Sequence, residues 1–395
     1  VSILAHRAFL WATVTNFFFF ASLNGFVLLP LYVESLGGSE VEIGLIMGLY
    51  SAVGIVTQPL LGPWTDALGR RPFMLLGVGL VLASALLAIV AGALGWLAVV
   101  RALQGLGFSA FFVANFSYVI DLVPPAERGW ALGIYGVSGL LSTALAPLLG
   151  EWIVRRLGFR ALFVVCALLA GLAAALVWPL TERRRDLPRP VRGSEWWAGL
   201  EEVARPHMAV TLFFGLGTGT IFAFLPTFAE SLGVPSLSLF YTAYAGAAMG
   251  VRILGGRLID TRGRRAVIVP SMFVQALATA VLASLGLIGA PTRALPALFA
   301  LVLAGLMAGG AHGFIYPGLA ALVADHTAEA RRGAVIGLFS GVFLVGNAGG
   351  AFLFGYVAHA VGYGQMWAVL TTILLVGGGL SLRLPADGSG ASSMA

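Results

Sequence analysis

The sequence predicts an all-α polytopic membrane protein with twelve transmembrane helices in two pseudo-symmetric six-helix halves. Three observations carry that prediction. Of 395 residues, 59% are hydrophobic and only 10% charged, where a soluble domain carries about 25% charged residues. Mean hydropathy is +0.95, and apolar stretches of roughly 20 residues recur, each long enough to cross about 30 Å of hydrocarbon. Motifs in the first half return in the second at a near-constant offset. This composition excludes an ordinary water-soluble enzyme, a disordered chain and a nucleic-acid-binding module. The apolar runs are continuous, whereas the strands of an outer-membrane barrel alternate apolar and polar residues.

Glycine, proline and charge clusters set the span limits. The first span, 8–33, is too long for a signal-peptide core and lacks a small-x-small cleavage site, so it is read as retained. The second, 40–65, closes at Asp66, and the third, 72–93, follows Gly69-Arg70-Arg71. The fourth, 96–121, closes at Asp121 ahead of Pro124-Pro125; the fifth, 130–154, follows Arg128-Gly129 and stops at Arg155-Arg156. The sixth, 159–180, starts after Gly158. A long polar stretch, 181–206, is read as a cytoplasmic central loop between the six-helix bundles 1–180 and 207–385. The remaining spans are 207–231, 236–259, 265–288, 295–323, 333–358 and 363–384, and the tail 386–395 is small and polar, expected to be disordered.

With both ends in the cytoplasm, seventeen arginines fall on the inner side and four (Arg155, Arg156, Arg160 and Arg293) on the outer side. The net charge of +6 is therefore a topology signal, and the central loop also suits contact with anionic lipid. Every basic residue is arginine. A Walker A loop needs a lysine on the phosphates, so the chain has no such loop of its own. The single cysteine, Cys166, allows no intrachain disulfide. No cofactor and no metal cluster are expected. Gly215-Leu-Gly217-Thr-Gly219 has the look of a nucleotide turn, but it sits in an apolar span and is read as helix packing.

The repeat is explicit. Residues 62–71 (GPWTDALGRR) and 256–265 (GRLIDTRGRR) both read G-x-x-x-D-x-x-G-R-R, offset by 194. Pro30, Glu34 and Gly37 match Pro226, Glu230 and Gly233 at offset 196; Asp121, Arg128 and Gly129 match Asp325, Arg332 and Gly333 at offset 204. Twelve spans, a basic central loop and this motif between spans two and three resemble the major facilitator superfamily. The resemblance covers nearly the whole chain. It implies a secondary transporter, not an enzyme, in the inner membrane and monomeric, with a small-molecule substrate and protons as the coupling ion.

By that resemblance, Gly62, Asp66, Gly69, Arg70 and Asp121, with Gly256, Asp260, Gly263, Arg264 and Asp325, form a conformational latch. Arg70 should pair with Asp121, and Asp66 should face the start of span eleven near Arg332 and Gly333. Such contacts form in one state only and so bias the balance between states. Arg101-x-x-Gln104-Gly105-x-Gly107 resembles the signature of proton-coupled members. An arginine inside a span is costly; Arg101 either serves coupling, with Glu34 or Glu151 as partner, or snorkels to the outer surface. Gly139 and Ala146-Pro147-Leu-Leu-Gly150 resemble the antiporter signature, departing from it at Ala146 and Glu151. The coupling candidates are Arg101, Glu34, Glu151 and His312, the last being the one mid-span group that titrates near neutral pH.

The substrate cavity is expected between the halves at mid-membrane. Its candidate lining from the first half is Asn16, Phe20, Asn24, Phe112, Asn115, Phe116, Tyr135 and Ser138. From the second half come Phe222, Tyr241, Tyr244, Arg252, His312, Tyr316 and Asn347. Arg252 either faces the cavity or makes a structural ion pair at the inner face. The set is aromatic and nearly neutral, which suits efflux of a lipophilic or amphipathic molecule. The alternatives are a facilitator or proton symporter for a sugar, metabolite or lipid-like solute and, remotely, a membrane sensor.

Overall fold

The computed structural model describes residues 7–123, 128–181, 205–288, 294–325 and 332–385. Every regular element among them is a helix. The first unit holds α1 (Arg7–Ser35), α3 (Arg70–Val90), α4 (Leu94–Leu122), α5 (Arg128–Leu157), α6 (Phe159–Val177) and most of α2 (Glu40–Leu68). The second holds α7 (Pro206–Ser231), α8 (Ser238–Leu254), α9 (Gly256–Thr261), α10 (Arg264–Ile288), α11 (Ala294–Asp325) and α12 (Arg332–Ser381). Residues Ser39–Gly44, which include the first turn of α2, group with the second unit.

Ten helices among the described residues are long and apolar enough to cross a membrane. Three predicted spans differ in detail. The eighth is divided: α8 ends at Leu254, and α9 resumes after Gly255. The eleventh and twelfth form the two rods of α12, which meet at Gly362 with φ +83°. The first span is also uneven. Phe26–Leu28 is a 3-10 turn just before Pro30, where a residue lacking its N–H interrupts the i→i−4 ladder and the helix tightens. Pro147, Pro226, Pro270 and Pro317 lie inside helices that run on through them, as membrane helices tolerate.

In the first unit, α3 packs on α4 and α6, and α1 on α5 and α6. The α3–α4 seam runs through Gly77 and Gly107; a Cβ on Gly77 would lie 2.6 Å from the backbone nitrogen of Phe111. In the second unit, α12 packs on α7 and α10, and α8 on α11. Gly215 and Gly219 of α7 sit on the carbonyls of Phe343 and Asn347, while Gly346 and Gly350 of α12 sit on those of Leu212 and Leu216. Lipid tails are as apolar as leucine, so helices in a bilayer gain most from such close backbone approach. This seam accounts for the Gly215–Gly219 cluster.

Every positive-φ residue described is a glycine: Gly37, Gly69, Gly158, Gly233, Gly263 and Gly362. They form three pairs, 37 with 233, 69 with 263 and 158 with 362, at the repeat offsets 196, 194 and 204. An L side chain at such a φ crowds the following carbonyl, so each corner of the repeat is fixed by the one residue without a Cβ.

Candidate solute-binding and latch residues

In the first unit, α1, α4 and α5 bring four candidate side chains into one buried network. Asn16 Nδ2 donates to Ser138 Oγ at 2.8 Å, and Asn115 Nδ2 donates to Tyr135 Oη at 3.0 Å and to Asn16 Oδ1 at 3.5 Å. Ser138 Oγ returns its hydrogen to the Tyr135 carbonyl. Asn115 Oδ1 is buried with no partner. An unpaired amide oxygen away from water costs about 1–3 kcal/mol, and it is an acceptor held ready for a donor. Two turns along α1, Asn24 Nδ2 donates to Ser142 Oγ and Thr143 Oγ1 of α5. Beside the amides, α4 carries a ladder of rings at i, i+4, i+8. Phe108 stacks on Phe112 at 5.3 Å and Phe112 on Phe116 at 5.8 Å, with Phe20 and Tyr135 against its two ends.

Arg101 is buried in this unit, not snorkelled to the surface. Its residue exposure is 8%. Its Nη1 donates to Gln104 Oε1 at 2.9 Å, its Nη2 reaches the Met47 carbonyl at 3.4 Å, and its guanidinium lies over the Tyr50 ring at 4.7 Å. These partners are neutral; the ring face supplies the electrostatic attraction. The expected pairing with Glu34 or Glu151 is corrected here. Glu151 is buried against Arg155, one turn further along α5, with Oε1 2.9 Å from Nη2. Glu34 is exposed at the end of α1. Intrahelical i, i+4 spacing brings a carboxylate and a guanidinium together without help from another helix.

In the second unit, α7, α8 and α11 gather six candidates. Phe222 touches Tyr241 and Tyr244, each at 5.5 Å between ring centres. Tyr244 meets His312 at 5.6 Å, and His312 stacks on Tyr316 at 6.1 Å with planes 7° apart. Arg252, on the last turn of α8, is within electrostatic reach of Tyr244, Tyr316 and His312. The alternative of an inner-face ion pair finds no partner among the described residues, and Arg252 Nε is buried without a hydrogen bond. Asn347 lies on the α7–α12 seam, its carbonyl against Gly219.

At the repeated G-x-x-x-D-x-x-G-R-R motif, Gly69 turns the chain at φ +100° and Gly263 at φ +90°. Arg70 Nε lies 3.3 Å from Asp121 Oδ2. In the mirror position Arg264 Nη1 donates to the Ile259 carbonyl at 2.8 Å. Gly62 has open space around it. The side chains of Asp66, Asp260, Asp325, Arg128 and Arg332, and the surroundings of Gly256, lie outside the described residues.

The candidates named from sequence do not include Tyr50, Phe108, Ser142, Thr143, Phe214 or Phe343, all of which the structure places in these clusters. The sequence carries a signal for Tyr50: Tyr50 and Tyr244 are related by the same offset of 194 as the G-x-x-x-D-x-x-G-R-R motif.

The Major Facilitator Superfamily family model matches residues 9–305. The chain is 24% identical over 369 residues to the "Multidrug resistance protein MdtG" of Dickeya zeae (strain Ech586), covering 88% of this chain and 86% of that one. It is 34% identical over 253 residues to the "Chloramphenicol resistance protein" of Pseudomonas aeruginosa, covering 60% and 58%. Its fold matches the solved structure of a mutant of nucleoside transporter NupG with a TM-score of 0.80 at 15% identity, covering 96% of this chain and 100% of that one.

Proposed function

The chain belongs to the Major Facilitator Superfamily, and from that premise we propose that it is a proton-coupled exporter of lipophilic or amphipathic small molecules. It is a multi-pass membrane transporter of small molecules and not an enzyme. The finer reading sets it in the inner membrane, monomeric, with both termini cytoplasmic, working by alternating access. One observation carries the substrate class: the Phe108–Phe112–Phe116 ladder, flanked by Asn16, Asn115 and Tyr135. Ring faces bind apolar bodies without demanding a fixed hydrogen-bond pattern, and a few amides orient them. The relatives named for drug resistance support the same direction of transport.

In this reading Arg70 and Asp121 belong to a latch that forms in one state and opens in the other, so it sets the ratio of states. Arg101, Glu34, Glu151 and His312 are the coupling candidates. The carboxylate of Glu151, held by Arg155, is the more enclosed of the two acids among them. Protonating it releases the arginine, which links a proton to a change of contact.

The test is dye and drug accumulation in everted membrane vesicles under an imposed proton gradient, with and without an uncoupler, and with Asp66→Asn as a control. Uptake that collapses with uncoupler and is lost in the variant is the expected result. Absence of gradient-driven uptake across a broad panel overturns it. A facilitator or symporter of a narrower solute is the second reading, and the neutral surroundings of Arg101 favour it: a coupling arginine ordinarily faces a carboxylate that titrates.

A further inference from the structure

The two units carry the same scaffold around one tyrosine, and they differ in one chemical respect. In the first unit Gly105 sits on the carbonyl of Tyr50; in the second Gly309 sits on the carbonyl of Tyr244. Positions 105 and 309 are related by the repeat offset of 204, and 50 and 244 by 194. Phe108 and Phe112 stand at the offset-204 equivalents of His312 and Tyr316. The stacking is retained: Phe108 on Phe112 with planes 19° apart, His312 on Tyr316 with planes 7° apart. The tyrosine contact is retained as well, Tyr50–Phe108 at 5.4 Å and Tyr244–His312 at 5.6 Å. Gln58 occupies the place of Arg252.

Packing alone therefore does not require the polar set, because two phenylalanines fill the same geometry in the other unit. A guanidinium and an imidazole stand inside the helix bundle where the first unit has neutral side chains, and a charge there is expensive unless it is paired. Arg252 Nε and His312 Nδ1 are both buried and without a hydrogen-bond partner. Among the described residues, the groups in electrostatic reach of Arg252 are Tyr244, Tyr316 and His312, none of them a carboxylate. Arg252, His312 and Tyr316 are each only partly buried as residues.

We propose that Arg252 and His312 form a subsite for the anionic group of an amphipathic organic acid, a monocarboxylate with an aromatic or aliphatic body. The carboxylate accepts from the guanidinium and from the imidazole N–H. The body lies on the rings of Tyr316, Tyr244 and Phe222. One guanidinium balances one negative charge, so a monoanion fits and a polyanion leaves surplus charge in a low-dielectric site. This subsite rests on the reading of the chain as a carrier of amphipathic solutes and names the solute class.

The experiment measures binding of 2-naphthoate and of its neutral isostere 2-naphthamide to the purified full chain in detergent, by calorimetry. The variants are Arg252→Gln and His312→Phe, each installing the residue that the first unit carries at the equivalent place, and Arg252→Lys. The expected result is tighter binding of naphthoate than of naphthamide. Arg252→Gln should weaken naphthoate by about tenfold or more, the loss of one hydrogen bond to a charged group, and leave naphthamide unchanged. Arg252→Lys should retain part of the preference, and His312→Phe should weaken naphthoate alone. Equal affinity for the two probes, or equal losses of both in Arg252→Gln, overturns the subsite. If Arg252→Gln does not yield monodisperse protein, His312→Phe decides by the same criterion. Absence of binding by either probe to the parent chain also overturns it. Gradient-driven dye uptake in vesicles of the same preparation then leaves the exporter reading standing, and its absence removes both.

Discussion

Asn115 shows what a buried polar side chain does inside a helix bundle. It joins α1, α4 and α5 through one amide nitrogen. Replacing it with leucine leaves Asn16 Oδ1 and Tyr135 without that donor, a cost of about 1–3 kcal/mol. Asn115→Leu is therefore expected to lower the apparent Tm of the detergent-solubilised protein measurably and to impair transport. Arg70 and Asp121 make the opposite case. Their side chains are 13% and 28% exposed, and a partly solvated ion pair is worth about 1 kcal/mol or less. Arg70→Ala should leave Tm nearly unchanged while vesicle uptake falls several-fold; a large Tm drop with transport intact would contradict the latch role. The family resemblance implies the Arg70–Asp121 pairing, with Arg70 in the motif and Asp121 at the end of the fourth span. It does not imply the company of Arg101, since Met47 and Tyr50 approach it from another helix and nothing in the local spacing of α4 announces them.

At the scale of the element, the limits of the spans were readable and their orientations were not. Gly158 and Arg155-Arg156 mark a helix boundary in the sequence, and α5 ends at Leu157 there. The divided span at Gly255 and the 3-10 turn at Phe26–Leu28 are not evident from the span limits. A membrane helix is apolar toward lipid and toward its neighbours alike, so its hydrophobic pattern does not tell which face is which. Small residues carry that information instead. Gly219 sits on the carbonyl of Asn347, whereas Gly246 of α8 has nothing within 4 Å. Gly219→Leu is expected to separate α7 from α12 and abolish monodisperse protein on size-exclusion chromatography. Gly246→Leu should elute as the parent does. Equal behaviour of the two would show that the α7–α12 seam is not what holds this unit together.

Across the whole molecule, the repeat was legible because it is written in residues with backbone consequences. The motif pair at offset 194 marks both turns, Gly69 and Gly263. Gly158 and Gly362 stand in the sequence only just before the spans 159–180 and 363–384, and their equivalence emerges from their φ values of +81° and +83°. Positive φ with ψ of 174° at Gly158 and 168° at Gly362 is a region essentially reserved for glycine, and it costs an L residue about 1–3 kcal/mol. Gly158→Ala and Gly362→Ala are thus expected to lower the thermal midpoint by similar amounts, and Gly79→Ala, a helical glycine in open space, to leave it unchanged or raised. The chemistry of the walls was far less legible than the corners. That Phe108 and His312 are equivalent follows from offset arithmetic, but that both take part in the same ring stack is a tertiary fact.

The paired corners also bear on descent. A turn built on a left-handed glycine rejects nearly every substitution, whereas a ring in a stack tolerates replacement by any other flat side chain. An ancestral six-helix gene copied in tandem would keep its corners in both copies long after its walls had drifted apart. The two halves then become free to specialise, one retaining an oily lining and the other acquiring charge. A duplicated design of this kind gains a new ligand chemistry by altering three side chains, with no change to the path of its backbone.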